Sequence, residues 1–215
     1  MKITKFGHAC LYIEEGDAKV LIDPGMFSKG FEGIRQIDAV LITHQHADHV
    51  TPEILAKVRQ NNPKVAVYAD EGTVKLMAAQ GDTEIKAVHA GEEFEIKGVK
   101  VAVFGSEHAI IHPAIPGIEN IGYMLAERFF YPGDNFTIPS APVEILALPL
   151  GAPWLKVSEV IDYVLKVKPS VAIPVHDAVL AMPAMHSEMV QHFTDQQGIA
   201  LKVVQNGEMI EVSVN

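Results

Sequence analysis

Cysteine is nearly absent. Cys10 is the single one in 215 residues, so no internal disulfide framework exists. Its thiol reads as a small buried side chain rather than a nucleophile. Cations are also scarce. Lysine and arginine total 17 against 27 acidic residues, a formal charge of −10, and they form no cluster. Nucleic-acid binders present a basic face, so a nuclease is disfavoured. No apolar run approaches the ~20 residues of a membrane-spanning helix, and Met1 to His8 lack the apolar core of a secretory signal. These absences predict a cytoplasmic protein with no membrane partner. Nothing matches a Gly-x-Ser-x-Gly elbow, which mounts a serine nucleophile. What remains is a chain that is 48% hydrophobic, which excludes disorder. Residues 1–215 are expected to form one domain with a full core.

The most informative stretch is Thr43-His44-Gln45-His46-Ala47-Asp48-His49. It follows an apolar run, Ala39-Val40-Leu41-Ile42, that reads as a buried strand. It precedes Thr51-Pro52-Glu53, a helix start with proline in the first helical position and an acid in the first turn. A strand end is rigid backbone, suited to holding metal ligands. In extended chain His44 and His46 point to the same side. Asp48 and His49 are adjacent and need not serve the same centre. Imidazole with carboxylate suits zinc, iron or manganese. A helical zinc motif would space its histidines by four with Glu beside the first; neither feature is present.

Thr-His-x-His-x-Asp-His behind a hydrophobic strand resembles the signature of the metallo-β-lactamase fold hydrolases. The other ligands of that family have matches in the same order. His108 lies in Gly105-Ser106-Glu107-His108, Asp134 in Tyr131-Pro132-Gly133-Asp134, and His176 in Ala172-Ile173-Pro174-Val175-His176. By this resemblance His44, His46 and His108 hold one metal. Asp48, His49 and His176 hold a second, and Asp134 bridges the two. The implied cofactor is two divalent ions, zinc first, with manganese or iron as alternatives. Such pairs sit ~3.5–4 Å apart and activate water. The implied activity is hydrolysis of a small ester, lactone, amide or phosphodiester by metal-bound hydroxide, with Asp48 among the catalytic residues. His46 stands where flavin-linked di-iron members carry Glu. Asp134 stands where exported two-zinc β-lactamases carry Cys. Gly7-His8-Ala9 and Pro174-Val175-His176 look most like the short intracellular group that includes sugar-phosphate lactonases. The alternatives are a nuclease or thioesterase of the same fold, or a non-catalytic metal-binding member. Seven filled ligand positions favour the enzyme. A small-molecule substrate is expected, and a homo-oligomer is compatible.

The element pattern is α/β: strands then a helix, and the same again. It suits the fold the resemblance implies, a four-layer αββα sandwich of two mixed sheets flanked by helices. Residues 26–37 show no periodicity, and Phe27 and Phe31 there are expected to be exposed. Ala200–Val204 and Glu208–Val212 read as a closing hairpin around Asn206-Gly207, a type I′ signal. Strands Ala9–Glu14 and Ala18–Ile22 must be antiparallel, and Ala39–Ile42 parallel to the second. His8, Asp23 and the histidine cluster should therefore share one rim. There His8 could bind an anionic group or protonate a leaving oxygen. Asp23 could orient a ligand imidazole or simply make a turn. Trp154 is expected at the lip of the pocket or over the core. His112 could contact substrate but reads more readily as solvated, while His89, His186 and His192 read as structural or exposed.

Overall fold

The computed structural model of the protein describes residues 1–213. The chain opens with an antiparallel meander of β1 (Lys2–Lys5), β2 (Leu11–Glu15) and β3 (Ala18–Ile22). β4 (Ala39–Leu41) then pairs parallel to β3. Helix α1 (Pro52–Asn61) returns the chain to β5 (Ala66–Ala69), and α2 (Glu71–Ala79) to β6 (Lys86–Ala87), both parallel additions. The helix starts are those the sequence signals. Thr51 caps α1 by accepting from Ile54 N, and Asp70 caps α2 by accepting from Thr73 N.

The second sheet repeats the plan. β7 (Glu93–Ile96), β8 (Val99–Phe104), β9 (Gly122–Leu125) and β10 (Phe129–Tyr131) are antiparallel. β11 (Ile145–Pro149) joins parallel to β10. Then α3 (Val157–Val167), β12 (Val171–Val175), α4 (Pro183–Asp195) and β13 (Ala200–Leu201) extend the parallel half. β14 (Met209–Glu211) crosses back to pair with β1. Each sheet has seven strands, β14-β1-β2-β3-β4-β5-β6 and β13-β12-β11-β10-β9-β8-β7.

Alternation along the strands builds the layers. In β3, Val20 and Ile22 face the core between the sheets, where they meet Val101, Tyr123, Phe129 and Ile173. Leu21 points the other way and packs with Leu55, Val58 and Met77 of α1 and α2. Across the molecule, Leu146, Leu148 and Ala172 pack under Val160, Tyr163 and Val190 of α3 and α4. This is the expected αββα sandwich. Among the described residues no helix is long and apolar enough to cross a membrane.

Two expectations are corrected. The closing strands do not form a hairpin: β13 belongs to the second sheet and β14 to the first. Asn206-Gly207 turns the chain within the crossing segment, where Gly207 N donates to Lys5 O. Burial decides this, because Val204 and Val212 both enter the inter-sheet core while each strand closes a different sheet edge. Phe31 is buried, not exposed. Its ring meets Phe6 edge-on at 6.4 Å beneath the first sheet's helical face. Phe27 is exposed, as expected.

Candidate metal centre

The parallel strands deliver their C-terminal ends to one edge of the sandwich. Asp23 follows β3, Thr43 and His44 follow β4, Gly133 and Asp134 follow β10, and His176 follows β12. The antiparallel partners bring the start of β2, with His8, and the segment beyond β8, with His108, to the same edge. The sheets are stitched together just beneath. Tyr123 Oη donates to Ile42 O at 2.9 Å, Tyr131 Oη to Ala9 O at 2.7 Å, and Ile121 N to Thr43 O at 3.0 Å. His176 N donates to His8 O at 2.6 Å.

All seven residues matched to ligands meet there, with His8. Their side chains form three overlapping groups of metal-ligating size: His44, His46, His108 and Asp134; His49, Asp134 and His176; His8, Asp48 and His176. The first matches one expected ligand set. The second expected set divides into two triads that share His176, with Asp48 grouped beside His8 rather than His49.

The ring nitrogens show what the residues are prepared for. Nδ1 of His108 lies 2.6 Å from Ala109 O, and Nδ1 of His176 lies 2.6 Å from Gly151 O. A carbonyl only accepts, so both Nδ1 atoms carry the proton and both Nε2 atoms present a lone pair. His49 Nδ1 faces the Asp23 carboxylate at 2.7 Å. Thr43 Oγ1 donates to Asp23 Oδ2 at 2.7 Å, so at 3.0 Å from His44 Nδ1 it accepts from that ring. In their neutral form these four imidazoles are thus fixed in one tautomer, with Nε2 turned inward. The buried atoms without a hydrogen-bond partner include Nε2 of His49, His108 and His176 and Oδ1 of Asp134. His49 Nε2 lies 3.2 Å from Asp134 Oδ1. Asp134 Oδ2 lies 3.4 Å from His108 Nε2 and 3.2 Å from His176 Nε2. Buried polar atoms are rarely left unpaired. Convergent lone pairs on imidazole and carboxylate are the donor set a divalent cation takes, so the residues fit a metal.

The local field favours a cation too. Burial opposes charge on His49, yet Asp23 and Asp134 hold its pKa well above the ordinary value. His176 is pushed up to about 9, again against burial, by Asp134 and Asp48. For Asp134, burial is overridden by His49, His176 and His108, and its carboxyl stays well below the usual range. Burial and the neighbouring His49 move His44 the other way, well below the ordinary value.

Asp23 is fully buried and accepts from Thr43 N at 2.8 Å, Thr43 Oγ1 and His49 Nδ1. The carboxylate therefore contacts the His49 ring as well as the turn after β3. Asp23→Asn turns one oxygen into a donor facing donors. It is expected to lower stability by about 1–3 kcal/mol, read from urea unfolding against wild type. An unchanged midpoint would contradict this hydrogen-bond arrangement.

Asn120 and Lys5 at the centre have no sequence signal. Asn120 is fully buried; its Oδ1 accepts from Asp134 N at 2.9 Å and its Nδ2 donates to Pro132 O. Lys5 Nζ is buried against Asp177 Oδ2 at 2.6 Å and Pro174 O, tying β1 to the loop after β12. Trp154, expected at the lip or over the core, donates from Nε1 to Asp134 Oδ2 at 2.9 Å. His112 is exposed and borders a cavity of about 300 Å³ that His46 and His108 also line. Cys10 is buried, and His89, His186 and His192 lie outside the three groups.

Comparison with known proteins places this geometry in a family. The Beta-lactamase superfamily domain matches residues 2–176. Protein Rv0786c of Mycobacterium tuberculosis is 44% identical over 86% of this chain and 87% of that protein. A UPF0173 protein of Pyrococcus furiosus is 31% identical over 82% and 83%. A protein named UPF0173 metal-dependent hydrolase, from Methanocaldococcus jannaschii, is 25% identical over 98% and 100%. The metallo-beta-lactamase fold protein YhfI of Bacillus subtilis superposes with a TM-score of 0.73, at 13% identity, over 97% of this chain and 98% of that one. The chain belongs to the metallo-β-lactamase superfamily and, within it, to the UPF0173 family of metal-dependent hydrolases.

Proposed function

We propose that the chain hydrolyses a small ester, lactone or phosphodiester at a centre for two divalent ions, zinc by preference, in the manner of the lactonase-like members of the fold. The three unpartnered Nε2 atoms of His49, His108 and His176 around Asp134 carry this reading. His44, His46 and His108 would hold one ion, His49, His176 and Asp48 the other, and Asp134 both. The ions, when bound, supply Lewis acidity and bring a water's pKa to about 7. The protein's residues do the rest. Asp23, Thr43, Ala109 O and Gly151 O fix the rings, which raises ligand basicity and removes rotational freedom. Asn120 and Trp154 hold Asp134 from its backbone and its carboxylate ends. A nucleic-acid substrate is disfavoured by the acidic charge, and a cytoplasmic location fits the composition.

His8 is assigned to support Asp48. Its Nδ1 accepts from Ala178 N at 3.2 Å, so Nε2 carries the proton and donates to Asp48 Oδ2 at 3.2 Å. The ring is fully buried and lies 3.8 Å from His176, centroid to centroid. With both nitrogens engaged, it serves the carboxylate rather than contacting substrate. His8→Asn is expected to keep its metal and lose about ten- to a hundred-fold in kcat, as groups that orient ligands do. Unchanged kcat would remove His8 from the machinery.

The function itself is tested with a panel of esters, lactones and phosphodiesters. The chelated protein is expected to be inactive and the zinc- or manganese-reconstituted protein active on at least one class. Equal activity before and after chelation would overturn the reading.

A further inference from the structure

Six segments surround the metal centre: residues 24–28, 43–51, 105–121, 132–138, 149–155 and 176–182. None contains a lysine or arginine, in a chain that has 17 of them. Lys5 is the cation that reaches in from elsewhere, and its Nζ is already taken by Asp177 and Pro174 O. Lys29 and Lys156 border two segments and are exposed. The acids here are Asp48, Glu107, Glu119, Asp134 and Asp177. A phosphate carried by the substrate away from the metals would find acids and no guanidinium or ammonium. Guanidinium and ammonium groups are the side chains that phosphate recognition most often uses.

The same segments also carry large apolar side chains at their solvent face, beside the exposed Glu107 and Glu119. Met26, Phe27, Ile110, Ile115, Val179 and Met182 are large side chains left exposed there. Phe27 meets His8 edge-on at 5.4 Å. On the opposite side of the centre, the cavity of about 300 Å³ runs from His46 and His108 along Ile111, Pro113, Ile115 and Ile118. Its size suits a short acyl chain or a ring, at the lower end of small-molecule sites.

We propose that the substrate is an uncharged carboxylic ester or lactone whose apolar acyl part lies in the 109–118 cavity. This rests on the hydrolase reading above and narrows it by removing phosphorylated substrates. Water adds across the acyl C–O bond: its oxygen joins the acyl carbon, the alcohol oxygen leaves with a proton, and the product acid releases the other proton. Ile115 and Ile111 would set acyl-chain preference.

Two arms test this. The first needs no turnover. Trp154 is the single tryptophan, and its ring lies 6.2 Å from His108, which lines the cavity; its fluorescence is the readout. Titration of metal-free protein with 2-octanone is expected to saturate, and octyl phosphate to bind at least about ten-fold more weakly. Ile115→Lys, in an exposed loop, should weaken the ketone and narrow that gap. Octyl phosphate binding as tightly as the ketone would overturn the proposal. The second arm uses zinc-loaded protein. The hexanoyl ester of ethylene glycol should exceed the acetyl ester in kcat/KM by about ten- to two-hundred-fold, the range that two to four buried methylenes give. The same hexanoyl ester phosphorylated on its free hydroxyl should be poorer than the neutral one. If the phosphorylated ester is preferred, the substrate class is wrong while the hydrolase stands. If loaded protein hydrolyses nothing, the hydrolase reading fails.

Discussion

Asp134→Asn is expected to remove metal from at least one site and abolish nearly all hydrolysis while leaving the fold intact. The two carboxylate oxygens divide their contacts: Oδ1 faces His49 Nε2, and Oδ2 faces His108 Nε2, His176 Nε2 and the Trp154 indole. No other residue appears in both of the first two ligand groups. An amide has the same shape, no charge, and one end that donates. If its oxygen keeps the Trp154 bond, its NH₂ points at the His49 lone pair and occupies the direction a metal needs. If it flips, NH₂ meets the indole N–H and two donors oppose each other. The backbone is untouched, since Asn120 holds Asp134 through its main-chain N–H. Metal affinity should fall by more than about a hundred-fold, beyond the range for groups that only orient ligands. Calorimetric zinc titration with a parallel unfolding curve separates the two effects. Wild-type affinity would show that Asp134 bridges nothing.

Gly25→Ala is expected to have the largest effect on the structure. A Cβ there would lie 1.7 Å from the carbonyl oxygen of Asp48, 1.9 Å from its carbon and 2.4 Å from His49 N. These are backbone atoms of the ligand segment, which no rotamer change can move aside. The β3–β4 connection is pressed onto this segment, with Met26 N donating to Ala47 O at 2.9 Å. Making room means displacing Asp48 and His49 together, which breaks that bond and shifts two residues of the candidate centre. The cost should be at least the ~1–3 kcal/mol of an overpacked core, with metal affinity reduced as well. Gly33→Ala is the control, because nothing lies within 4 Å of its added Cβ. Thermal unfolding should show a clear drop for the first and little change for the second. A Gly25→Ala protein with the wild-type Tm would contradict this packing.

Much of the centre was legible because its converging residues sit next to strong local signals. His44 to His49 follow an apolar strand, and Asp134 and His176 each end one. The convergence of His8 and Asp23 with them followed from topology alone, since a tight turn and a crossover connection leave few arrangements. Asn120, Lys5 and the Trp154–Asp134 bond were not legible, because each acts across more than a hundred residues or between loops of no fixed period. The closing segment was misread for a related reason. Asn206-Gly207 has the chemistry of a hairpin turn, yet two sheet edges on opposite sides of the core each needed a strand. Phe31 lay in a stretch without periodicity, where burial depends on the outer face of the first sheet rather than on neighbours in sequence.

The central claim is that the inward-turned lone pairs hold metal, and elemental analysis of protein purified without chelator tests it most directly. About two divalent ions per chain are expected, falling after chelation and returning on zinc addition. A correctly folded protein that contains no divalent metal, even after supplementation, would contradict the metal centre.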